Sequence, residues 1–213
     1  LTNFSNILAN EMNAFAATAM LNSGIGESYL KNTTHALAQK GVQCLTSKKP
    51  SANNNCAVLT TVDATTFLSN PDLAEEVFGP YSILIQCENV EELKKVWKNL
   101  KGQISTTIMG TDKDIDAATD LLNMSLSIAG RIVINGVPTG VEVCDSMVHG
   151  GPYPASTDSR FTAVGVQAAK RWLRPISFQN WPVHLLPAAL QNPNPLGIWR
   201  NINGALSKNE INA

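Results

Sequence analysis

The chain has 213 residues, with 16 lysines and arginines against 17 aspartates and glutamates, and a formal net charge of −1. A hydrophobic fraction of 44% and a charged fraction of 15% exclude a disordered chain and predict a sizeable core. The basic residues are scattered, so no nucleic-acid partner is expected, and no run of about 18 apolar residues predicts a membrane span.

Apolar residues at near-helical spacing (Phe4, Ile7, Leu8, Met12, Phe15) predict a helix over 3–20. A break at Ser23-Gly24 precedes a second helix running to about Gln39 and closed by Gly41. "VQCL" (42–45) reads as a short strand, and "KKPSANNN" (48–55) as a polar loop. "CAVLTTV" (56–62) is the next strand, and Asp63 caps a short helical turn over 63–70. Strands at 81–87, 104–110 and 130–136 then alternate with helices at 89–100 and 111–126, the first of which sets Leu93, Val96, Trp97 and Leu100 on one face. Alternation of this kind predicts an α/β fold with a mostly parallel sheet flanked by helices.

After Gly136 the texture changes. Residues 137–160 are rich in Gly, Pro, Ser and Thr, and a loop of that length in a compact domain tends to be functional. A helix is expected over 162–173 and a strand with alternating faces over 174–180, followed by a tail with anchors such as Trp199. The four cysteines, Cys44, Cys56, Cys87 and Cys144, form no CxxC pair, so neither a zinc site nor a disulfide framework is expected, and buried free thiols in a reducing compartment fit them. No basic stretch leads into an apolar run near Leu1, so no secretory signal is visible and a cytoplasmic location is expected.

Three stretches carry candidate chemistry. In "AEEVFGP" (74–80), Glu75 and Glu76 can end a short helix while Phe78 plugs the core. Alternatively, one carboxylate takes hydrogen bonds from a hydroxylated ligand and the phenyl ring packs against a flat one. In "CDSMVHGG" (144–151), Cys144, Asp145 and His149 lie close in sequence, but a thiol with no cation or helix N-terminus beside it is not activated, and a wall or core thiol is the better reading. "GIGES" (24–28) lacks the third glycine and the preceding strand of a dinucleotide fingerprint, and reads as a turn between helices.

"NPDLAEEVFGPYSILIQCENVEEL" (70–93), "GRIVINGVPTGVEVCDSMVHGGPYPASTDSR" (130–160) and "KRWLRPISFQNWP" (170–182), in that order, resemble the aldehyde dehydrogenases. The likeness extends from about Phe15, through "AMLNSGI", to "NPLGIWR". The segment Val-His-Gly-Gly-Pro-Tyr-Pro departs from most of the family. It is similar to the branch holding α-ketoglutarate semialdehyde (2,5-dioxovalerate) dehydrogenases and NADP-dependent fatty-aldehyde dehydrogenases.

The resemblance implies the family's catalytic-domain fold, with residues 1–165 a partial catalytic α/β domain and 166–213 a C-terminal helix, oligomerisation strand and tail. It implies an NADP or NAD cofactor with Glu76 on the nicotinamide ribose and Phe78 beside the nicotinamide ring. It also implies an aldehyde pocket near Val143 and His149, with Arg160 as a candidate anchor for a carboxylated substrate, and a homo-oligomeric whole protein. None of the four cysteines has the context of the family's nucleophile, and the general-base Glu motif and Rossmann half are also missing from the chain. The expectation is therefore the C-terminal part of an aldehyde dehydrogenase, inactive alone. The other reading is a non-catalytic truncated paralogue serving as a binding or oligomerisation module.

Overall fold

A computed structural model describes residues 2–51 and 55–212. Residues 52–54 of the expected 48–55 loop lie outside them. The chain divides into two units, Leu1–Ala168 and Ala169–Ala213.

In the first unit, helix α1 (Thr2–Ala14) stops well short of the expected 3–20. Lys48 Nζ donates to the carbonyls of Asn13 (2.7 Å) and Phe15 (3.4 Å), and Ser47 donates to the Asn13 side chain, so a neighbouring segment takes up the chain where the helix would have continued. Helix α2 (Ser23–Leu37) starts under an Asn22 cap that accepts from Ile25 N. Strand β1 (Gln43–Cys44) pairs antiparallel with β2 (Val58–Asp63), which pairs parallel with β3 (Tyr81–Gln86). Asp63 caps α3 (Ala64–Ser69), accepting from Thr66 N at 2.8 Å, and a 3-10 turn (Pro71–Ala74) follows. Helix α4 (Val90–Asn99) crosses to β4 (Gln103–Ile108), which pairs parallel with β5 (Ala129–Ile134) as a second sheet.

The segment expected as one helix over 111–126 is two, α5 (Asp112–Ala117) and α6 (Thr119–Ile128). At the break Ala118 N donates to Ile115 O, and the Thr119 hydroxyl takes the Asp116 carbonyl at 2.9 Å, closing the first helix before the second begins. Lys94 then joins α4 to α6 through Asp120 (2.7 Å) and also pairs with Glu91 (2.9 Å).

The core lies where α3, the 3-10 turn and α4 cover the first sheet: Val62, Ala64, Phe67, Leu73 and Val96 are buried together, with Ile83, Ile85 and Leu100 packed against them. The expected α4 face thus meets the core through Val96, while Leu93 and Trp97 stay half-buried. Of the cysteines, Cys56 is buried as expected, but Cys44, Cys87 and Cys144 are only partly covered.

The helix expected over 162–173 shrinks to a 3-10 segment (Val166–Trp172) that runs across the division between the units. Thr162 is already engaged, accepting from His149 N and donating to Val164 O, and Gly165 takes φ +95°, outside the helical range.

In the second unit, the strand expected over 174–180 does not form, and residues 171–180 are all exposed. A strand needs a partner to complete its hydrogen bonds, and within the described residues this segment has none. Regular structure comes instead from a hairpin, β6 (Arg200–Ile202) against β7 (Ala205–Ser207), and two 3-10 turns, Val183–Leu185 and Ala188–Leu190.

Candidate functional site

Two of the candidate stretches lie where strands begin. The "AEEVFGP" stretch leads directly into β3. The carboxylates of its two acids have different fates. Glu75 pairs with Lys101 Nζ at 2.6 Å, whereas Glu76 is exposed and has no hydrogen-bond or ion-pair partner among the described residues. Lys101 keeps its proton more tightly than a free lysine because the Glu75 side chain accepts from it.

Phe78 does not plug the core: its ring is 61% exposed. The residue behind it explains why. Tyr29 of α2 is fully buried, its hydroxyl donating to the Cys56 carbonyl (2.7 Å) with the Pro80 carbonyl as a longer second acceptor (3.3 Å). Burial pushes its phenol up to about 12. Gly79 takes φ +148°, and a Cβ there would stand 2.4 Å from the Tyr29 ring. The backbone is therefore held against Tyr29 at Gly79, with Phe78 on the outside.

Residues 149–154 run beside the starts of β4 and β5. Gly102 N donates to Tyr153 O at 3.3 Å, immediately after Lys101. Lys101-Gly102 thus links the Glu75 side of the first motif to the "HGGPYP" segment, although no hydrogen bond or ion pair among the described residues joins Glu76 or Phe78 directly to Val143, His149 or Arg160. His149 is half-buried and fixed by its backbone, which donates to Thr162 Oγ1 (2.8 Å) and accepts from Ala163 N (2.9 Å), and its ring makes no hydrogen bond among the described residues. Val143 is 70% exposed. Arg160 is also exposed, its guanidinium forked onto Asp158 (Nε to Oδ1 2.9 Å, Nη2 to Oδ2 2.6 Å), which raises its already high pKa. Cys144 lies 3.4 Å from Ser146 Oγ, with no cation at its sulfur among the described interactions.

At the far end of the second sheet, Asn135 (φ +49°) joins both strand ends, its side chain accepting from Gly110 N and donating to Gly110 O, each at 2.9 Å. Loops at the carboxyl ends of parallel strands commonly form ligand sites. Sequence reasoning assigned no role to Tyr29, Lys101 or Arg131. Tyr29 carried only a helical-periodicity signal, Lys101 none, and Arg131 the signal of a cation inside an otherwise apolar strand. Among the described residues no group of acidic, His and Cys side chains is arranged to hold a metal ion, and no helix is long and apolar enough to cross a membrane. A shallow hollow in the second unit is lined by Leu190, Ile198, Trp199, Arg200 and Ile211 among others, and includes none of the five candidate residues.

Parallel strand pairs flanked by helices, with these loops at their ends, are the fold of aldehyde dehydrogenases. The structure is similar to betaine aldehyde dehydrogenase from Staphylococcus aureus, solved with NAD+, at a TM-score of 0.63 and 14% identity, over 84% of this chain and 39% of that one. The sequence is 43% identical over 193 residues to alpha-ketoglutaric semialdehyde dehydrogenase of Acinetobacter baylyi, covering 89% of this chain and 37% of that protein. It is 38% identical over 207 residues to alpha-ketoglutaric semialdehyde dehydrogenase 2 of Azospirillum brasilense, covering 96% of this chain and 39% of that protein. Over nearly its whole length the chain is similar in sequence to these aldehyde dehydrogenases, and it spans a little over a third of the length of these curated relatives. No family model matches it.

Proposed function

We propose that this chain is the cofactor-positioning and pocket-loop portion of an NAD(P)-dependent aldehyde dehydrogenase, which oxidises an aldehyde to its carboxylate. The observation that carries the reading is the different fate of the paired acids: Lys101 occupies Glu75 and leaves Glu76 free beside an outward-facing Phe78. A free carboxylate next to an exposed ring fits the ribose hydroxyls and flat nicotinamide of a dinucleotide. When bound, NAD(P) supplies the hydride acceptor. Glu76 would hold the ribose by accepting from its hydroxyls, and Phe78 would flank the nicotinamide. Tyr29 and Gly79 would fix where that pair stands. Val143 and His149 would line the aldehyde side.

In this reading the nucleophilic thiol and the general base come from elsewhere in a longer protein, since burial pushes the Cys56 and Cys87 thiols up and no cation stands at the Cys144 sulfur among the described interactions. The 43% and 38% identical relatives support α-ketoglutarate semialdehyde as the substrate, with a fatty aldehyde as the other candidate. Arg160 would meet a substrate carboxylate only by exchanging it for Asp158. The whole enzyme would be a cytoplasmic homo-oligomer.

The test is NAD(P) reduction with α-ketoglutarate semialdehyde and with a fatty aldehyde. The longer protein carrying this chain should turn over at least one of them, and the chain alone neither. Turnover by the chain alone would refute the division of labour. Failure of the longer protein on every aldehyde would favour the non-catalytic binding or oligomerisation module.

A further inference from the structure

Residues 137–146 leave β5 with little to pack against: Val137, Pro138, Thr139, Gly140, Glu142 and Val143 are all exposed. A loop held by so few apolar contacts needs polar ties to keep one conformation. Arg131, half-buried on β5, supplies them at two places. Its Nη2 donates to the Pro138 carbonyl where the loop departs, and its Nη1 reaches Met147 Sδ at 3.8 Å where the loop returns. A turn in which Met147 N donates to Cys144 O closes the returning end. The guanidinium has no carboxylate partner among the described ion pairs, although Glu142 and Asp145 lie in the same loop.

We propose that Arg131 is a positioning residue for aldehyde recognition: its forked guanidinium pins both ends of the 138–147 loop and so sets where Val143 stands. This rests on the aldehyde dehydrogenase reading above. The planar fork matters because its donors point in fixed, diverging directions, and a lysine's single ammonium cannot hold a carbonyl and a thioether on opposite sides. Losing the tie frees the loop without touching Glu76 or Phe78. The cofactor side is therefore unaffected while aldehyde binding weakens.

The experiment compares R131A and R131K with the parent in the longer protein. At saturating NAD(P), the aldehyde KM is expected to rise roughly tenfold, the loss expected of a charge-assisted hydrogen bond, with kcat and the NAD(P) KM within about twofold. R131K should not rescue. In the same preparations, cleavage after Glu142 by a glutamate-specific protease, mapped by mass spectrometry, should speed up about tenfold in both variants. Unchanged cleavage at Glu142 overturns the proposal, as does an equal rise in both KM values. A selective loss of carboxylated aldehydes at unchanged cleavage would make Arg131 a substrate anchor, which also overturns the positioning role. If the parent oxidises no aldehyde, the functional reading has failed, and the cleavage rates still decide the clamp.

Discussion

Residues 2–168 and 169–212 contain the same kinds of apolar side chain and treat them in opposite ways. In the first unit Val62, Phe67 and Leu73 are all but fully buried, because α3, the 3-10 turn and α4 lay their apolar faces on a parallel strand pair. In the second, Trp172, Leu173 and Trp199 are 83%, 70% and 65% exposed, and Asn194 is the one buried residue among those described. What orders the second unit is polar. Asn194 Nδ2 donates to the carbonyls of Ile198 and Lys208, and Arg200 donates to those of Gln191, Asn192 and Asn209. Apolar content alone does not make a core. A helix or strand buries its apolar face only where the chain brings a second face to it.

Cavity-forming substitutions separate the two units most strongly. Phe67→Ala should lower unfolding free energy by about 3–5 kcal/mol, whereas Trp172→Ala should stay within about 0.5 kcal/mol, both read from urea unfolding. A large loss at Trp172 would mean that its ring is covered in solution.

A smaller effect is expected at a buried hydrogen bond inside the first unit. Tyr29→Phe keeps the ring but strips the Cys56 carbonyl of its 2.7 Å donor, costing about 1–3 kcal/mol. The same phenol sets an alkaline limit. Its folded pKa of about 12 lies above the ordinary 10.0, so the fold retains a proton that the unfolded chain releases. The stabilisation is complete below about pH 10 and falls as pH rises towards 12. Tyr29→Phe should flatten that part of the pH–stability curve, and an unchanged curve would assign the alkaline loss to other groups.

Much of the first unit was legible because its signals are local. Asp63 caps the helix it precedes, and the apolar runs at 58–63 and 81–86 are strands. What could not be read locally depended on distant partners. Lys48 captures the end of α1, Thr162 is spent on His149, and 174–180 reads as a strand but has no neighbour to pair with among the described residues. The site divides in the same way. The motif drew attention to Glu76 and Phe78, but spacing alone favoured Phe78 as a core plug. Only the buried Tyr29 behind Gly79 and the ion pair between Lys101 and Glu75 separate the two readings. Arg131 read simply as a strand residue, since nothing local ties it to Pro138 and Met147.

The claim that Glu76, and not Glu75, serves the cofactor is tested most directly by single-turnover hydride transfer in the longer protein. Glu76→Gln should slow transfer on the order of 100-fold while cofactor affinity changes far less, since a ribose held about 1 Å out of place misaligns the reacting carbon. Glu75→Gln, which loses only an exposed pair with Lys101, should remain close to the parent rate. Equal transfer rates in Glu76→Gln and the parent would contradict the account.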